Sequence, residues 1–192
     1  MNLLAVTLLA LATTAPGQET ELACITMNTD RLPLDTRASP LDSVSFQVAG
    51  GPVKICYSRP SARGRQVFGG DLVPYDEVWR TGANEPTMIH TSVPLSIAGI
   101  EVEPGTYSLY TVPGEEAWQV IVNASIDHWG HERFYTGEVA AQEIARAAVE
   151  SVATEEHVET FTIRAEPAED GGATVLLEWE KARVRVPIRR AG

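Results

Sequence analysis

The sequence predicts an all-β domain, an antiparallel β-sandwich of jelly-roll or Greek-key type with at most one short helix. Three observations predict it: short alternating or β-branched stretches recur along the chain, Gly and Pro punctuate the gaps, and only one segment has helical composition. Ser43 to Val48 (SVSFQV) alternates, Gly50-Gly51-Pro52 breaks the chain, and Val53 to Tyr57 (VKICY) alternates again, which predicts a hairpin. Further strands are expected at Thr87 to Ser92, Leu95 to Ile97, Thr106 to Val112, Trp118 to Asn123, Phe161 to Ala165, Thr174 to Glu180 and Val184 to Ile188. Turns fall at Pro104-Gly105, Pro113-Gly114 and Gly171-Gly172. The exception is Glu138 to Val152, which is Ala-rich and helical by propensity, although its apolar residues follow a helical stripe only roughly.

The chain has 192 residues, 15 Lys+Arg against 26 Asp+Glu, a net charge of −11 and 44% hydrophobic residues. That suits one domain with a sizeable core and excludes wholesale disorder. The acidity argues against nucleic acid as a partner and against electrostatic docking on anionic membranes. Residues 1–17 carry no charged side chain; the apolar run Leu3 to Leu11 and the small residues after it resemble a signal peptide, although no basic residue precedes the run. Residues 18–40 read as a flexible polar extension and residues 41–190 as the folded domain. Export to the periplasm or the extracellular space is therefore expected. The apolar run is shorter than the ~20 residues of a membrane-spanning helix, so no transmembrane segment is expected after cleavage. Glu19 and Glu21 argue against lipid attachment at Cys24. Cys24 and Cys56 either pair, as an oxidising compartment permits, or remain thiols.

Candidate functional residues concentrate in two stretches. Tyr57 to Gly70 and Leu72 to Glu85 are rich in Gly and Pro and read as loop; they carry Arg59, Trp79, Arg80, Asn84 and Glu85, the residue types that anchor ligands. The same residues could equally close one end of the sandwich, with Trp79 as a plug. Between Asp42 and Asp71 there is no acidic residue, but Lys54, Arg59, Arg63 and Arg65 occur. Such a cluster either makes structural ion pairs, the favoured reading, or recognises an anion through bidentate guanidinium contacts. The second stretch, Asp127 to Arg133, holds His128, Trp129, His131 and Glu132; two imidazoles and a carboxylate would suit zinc or another first-row metal, though the spacing is not HExxH. No cofactor is otherwise implied. No GxSxG, P-loop or dinucleotide fingerprint occurs, so no catalytic residue is assigned.

The strings Tyr57-Ser-Arg-Pro, Gly64-Arg-Gln-Val-Phe-Gly-Gly, Leu72-Val-Pro-Tyr, Val78-Trp-Arg-Thr-Gly-Ala-Asn-Glu, Pro104-Gly-Thr-Tyr-Ser-Leu-Tyr-Thr-Val-Pro, Trp129-Gly and Leu177-Glu-Trp-Glu resemble the bacterial DUF2911 family from about Ser39 to Ile188. The resemblance implies exported β-rich proteins and brings no catalytic residues with it. It also implies a strand over Ile144 to Val152, with at most a helical turn over Glu138 to Gln142. The function expected first is non-catalytic binding of a small molecule, glycan or protein through the Arg/Trp loop, with Trp129 beside it. A structural envelope protein comes second, and a metal-assisted hydrolase using His128, His131 and Glu132 third.

Overall fold

The computed structural model describes residues 22–192, so the expected signal peptide and its cleavage zone lie outside the described residues. Nine strands form: β1 (Leu41–Val48), β2 (Gly51–Ser58), β3 (Thr87–Thr91), β4 (Leu95–Ile97), β5 (Ile100–Val102), β6 (Gly105–Val112), β7 (Ala117–Asn123), β8 (Glu143–Pro167) and β9 (Ala173–Arg190). They make one sheet in the order β1-β2-β3-β6-β7-β8-β9-β4-β5, every neighbouring pair antiparallel. A single helical turn, α1 (Gly137–Ala140), precedes β8. The all-β antiparallel class and the near absence of helix match the sequence expectation; the strands share one continuous ladder.

The β1–β2 hairpin turns on Ala49 and Gly50, with φ of 49° and 81°, a residue earlier than the Gly-Gly-Pro string suggests. Two successive left-handed residues make the tight turn whose twist matches paired strands. The β4–β5 hairpin repeats the device with Ala98 and Gly99, at 50° and 89°. β5 escaped sequence reading because it has three residues and its Ala-Gly turn lacks the usual Asn or Asp.

The Ala-rich segment is a strand, as the family resemblance implies. Ala145, Ala147 and Val149 of β8 stand opposite Val122, Val120 and Trp118 of β7, so small side chains lie across from large buried ones. Packing across the ladder overrides helix propensity here. β8 pairs with β7 through residues 143–150 and with β9 through residues 151–167. Its register with β9 breaks between Ala153 and Val158, so four residues including Glu155 and Glu156 bulge opposite Lys181. That break separates the strand the resemblance implies over Ile144 to Val152 from the one expected at Phe161 to Ala165, but the chain is continuous through it.

The core holds an aromatic cluster of Tyr57, Phe68, Trp79, Trp118, Phe161 and Trp179. Trp79 and Trp179 stack at 5.8 Å, and Phe68 meets Trp118 edge-on at 4.8 Å. Each such pair adds roughly 0.5–1.5 kcal/mol beyond simple burial. The sheet bends so that β1 also contacts β8 and β9. Side chains close that seam: the Tyr57 hydroxyl accepts from the Ile163 amide at 3.0 Å, and Arg59 Nε donates to the Phe161 carbonyl at 3.3 Å.

The opposite face of β2, β3, β6 and β7 presents a row of Cys56, Met88, Ser108 and Asn123, all buried. Residues 22–40 cover one end of this face. They are irregular, as their composition suggests, and a Cys24–Cys56 disulfide pins them, with the Cα atoms 5.7 Å apart. Of the alternatives open for the two cysteines, the structure has the pair. Asn123 Nδ2 donates to the Val139 carbonyl at 2.8 Å, which draws the 124–142 loop over the other end.

Candidate functional site

The loop from Arg59 to Pro86 crosses one end of the sheet and divides into a closed part and an open part. The closed part centres on Glu85. Arg37 Nη1 donates to Glu85 Oε2 at 2.7 Å, and the pair is buried, with side-chain exposures of 0% and 5%. Arg37 also donates to the Met27 and Leu32 carbonyls, at 2.8 and 3.2 Å, and the Met27 amide donates to Glu85 Oε1 at 2.6 Å. Asn84 Nδ2 donates to the Ser39 carbonyl and to Ser58 Oγ, at 2.9 and 3.0 Å. The Gly130 amide donates to the Asn84 carbonyl at 3.0 Å, and a Cβ on Gly130 would sit 2.6 Å from that same oxygen, so only glycine fits. Trp129 lies under Arg37, whose guanidinium carbon is 5.9 Å from the ring centroid.

Four of the six expected ligand anchors make contacts within the fold. Glu85 and Asn84 are spent holding the N-terminal segment, and Trp129 packs beneath that clasp. Arg59 serves the seam, bonding the Phe161 carbonyl and Thr162 Oγ1 and pairing with Asp42 at 3.3 Å.

The metal candidates do not converge either. His128 is stacked beside Tyr110, with Nε2 2.5 Å from the Tyr110 hydroxyl and Nδ1 3.0 Å from Ser125 Oγ. A neutral imidazole accepts on one nitrogen and donates on the other, so both are used. Burial holds the His128 imidazole below its ordinary pKa and pushes the Tyr110 phenol well above its own. His131 Nδ1 instead caps a 3₁₀ turn by accepting from the Arg133 amide at 3.3 Å. Glu132 takes Arg80 Nη1 on both oxygens, at 2.8 and 2.7 Å. Among the described residues no group of three His, Cys, Asp or Glu could hold a metal ion.

The open part is a cavity of about 440 Å³ between the Ser61–Val73 and Trp79–Ala83 stretches. Arg63, Arg65, Asp71, Arg80, His131 and Glu132 supply its charged or titratable wall, and Trp79 and Trp179 form its apolar floor. Of the six expected anchors, Trp79 and Arg80 are the two that line it. Trp79 is also the plug that the alternative reading expects: it is 4% exposed and its Nε1 donates to the Gly82 carbonyl. Arg80 gives Nη1 to Glu132 and leaves its buried Nε without a partner. Arg63, Arg65 and Trp179 were not among the expected anchors, although the acid-free run holding both arginines was the available signal for them.

The cavity wall is conformationally strained. Thr81 has φ of 56° and Arg63 of 54°, and a β-branched residue such as Thr pays for the left-handed region. Buried bonds hold Thr81 there: its Oγ1 lies 3.1 Å from Thr111 Oγ1, and its carbonyl accepts from Thr87 Oγ1 at 2.6 Å. Arg63 occupies a tight turn with Gly64, also left-handed at 71°, closed by the Arg65 amide donating to the Ala62 carbonyl at 3.1 Å.

Among the described residues, no helix is long and apolar enough to cross a membrane. No curated protein and no solved structure matches the chain. One family does, over residues 39–188, and it is described as a protein of unknown function. With residues 39–188 matched, most of its length, the chain belongs to the DUF2911 family.

Proposed function

We propose that this protein is an exported, non-catalytic binding protein that takes a small molecule in the cavity floored by Trp79 and Trp179. The observation that carries the reading is the buried Arg80 Nε left without a partner in the cavity wall, with left-handed backbone at the lining residue Arg63 and at Thr81, which lies between the lining residues Arg80 and Gly82. Strain of this kind costs roughly 1–3 kcal/mol per residue and gathers where a fixed geometry serves a purpose. The orphaned Arg80 Nε adds about 1–3 kcal/mol of unmet desolvation to the same wall. Size supports the reading as well, since small-molecule sites are concave and of comparable volume. Export is supported by the apolar run Leu3 to Leu11 and by a disulfide that reducing compartments disfavour.

The test is a thermal-shift and tryptophan-fluorescence screen of monosaccharides, amino acids, dicarboxylates and nucleoside monophosphates, run on the wild type and on Ala83→Phe, which fills the cavity. At least one compound should raise Tm by a few degrees in the wild type and leave the variant unmoved. A screen with no such compound, or shifts that persist in Ala83→Phe, would overturn the reading.

A further inference from the structure

We infer that the cavity's ligand carries an oxyanion, a carboxylate or a phosphate group, and that Arg63 and Arg65 grip it; this rests on the cavity being a ligand site. The local charge balance points that way. Glu132 is matched by Arg80, which leaves Arg63 and Arg65 against Asp71 in the lining, with Glu159 just outside it taking the Arg63 amide at 2.8 Å, in a chain whose net charge is −11. Two other concavities have no such surplus in their own linings, although Arg65 is shared with the first of them. Beside the β8 bulge, Arg65 and Lys181 face Glu115 and Glu180, and at the β5 edge Arg190 faces Glu101 and Glu103. A concave patch of opposite sign within an acidic protein concentrates anions by focusing the field.

The arginine geometry adds specificity. Arg65 Nε donates to the Ala62 carbonyl at 2.9 Å and Nη2 to the Ser61 carbonyl at 2.8 Å. Two backbone oxygens thus hold one edge of the guanidinium and leave the Nη1–Nη2 fork, the edge that pairs with a carboxylate or phosphate through two parallel bonds. Arg63 stands next to it on the strained turn, and among the described residues no hydrogen bond engages its guanidinium. A guanidinium fixed before the ligand arrives loses less entropy on binding.

Sodium phosphate, sodium succinate and neutral succinamide, each against sodium chloride at matched ionic strength, are the probes for the full chain. Phosphate or succinate should raise Tm and change tryptophan emission beyond the chloride control; whichever does so identifies the oxyanion. Arg65→Lys, which keeps the charge and loses the fork, should weaken that response about tenfold. Arg63→Gln, which breaks no bond of the fold, should weaken it as well. A response equal for succinamide and succinate, or one that survives both variants, overturns the oxyanion inference. If neither oxyanion acts while a neutral compound from the screen binds the wild type and not Ala83→Phe, the cavity remains a site and the inference alone falls.

Discussion

Two Arg–Glu pairs of similar length sit at the same end of this molecule and do opposite things. Arg37–Glu85 and Arg80–Glu132 both close at 2.7 Å. The first is buried, and Arg37 and Glu85 make further backbone bonds with Met27 and Leu32. The second has side-chain exposures of 20% and 37% and leaves a donor unmet. The distance of an ion pair therefore says little; the fate of its remaining donors and acceptors separates a clasp from a cavity wall.

The comparison breaks most visibly at Glu85. Glu85→Ala strands a buried guanidinium, and a loss of roughly 3–5 kcal/mol in urea unfolding is expected; a loss under about 1 kcal/mol would mean that the clasp holds nothing. The disulfide tests the same region from the other side. Cys24 and Cys56 are 32 positions apart, and removing both should cost about 2–4 kcal/mol through the freed loop. If the Cys24→Ala, Cys56→Ala protein melts like the wild type, the segment 22–40 is held by the clasp alone.

A smaller effect follows from acid. His128 and His90 are both held below their ordinary pKa by burial, with Lys54 adding to the effect at His90. The unfolded chain then binds protons that the folded one refuses, so stability falls as pH drops from about 7 towards 5. His128→Gln should flatten part of that slope in Tm measured across the window; a wild-type Tm that rises on acidification would contradict the assignment. Smallest of all is Glu132→Gln, expected to change stability by less than about 1 kcal/mol because its pair is part-exposed. A large loss there would turn the open wall into a second clasp.

Much of the fold was legible because its signals are local. Alternation and Gly-Pro punctuation placed six of the nine strands where they lie, and the stretches expected at Thr174 to Glu180 and Val184 to Ile188 are one strand, β9. The Ala-rich stretch needed the family resemblance, because what makes it a strand is Trp118 and its neighbours across the ladder, and cross-strand packing is not written in the segment itself. The site was legible in part. The Arg/Trp text holds Trp79 and Arg80, and the acid-free arginine run holds Arg63 and Arg65, the other two arginines that line the cavity. Which arginine faces a carbonyl and which a cavity depends on partners such as Phe161, about a hundred positions away, and no local pattern carries that.

The seam at Tyr57 bears on how the chain reaches this form. Tyr57 and Ile163 are separated by 106 positions, and the phenolic oxygen joins them beside a short bridge of backbone bonds at Ser61 and Thr160. Contacts so remote in sequence bear the heaviest loop-closure entropy and form slowly. Hairpins such as β1–β2 and β4–β5 need only two-residue turns, so the join between the first strands and β8 is expected to form after them. Until it is made, the edge of β1 stands open to other chains, so the interval before that join is when aggregation competes with folding.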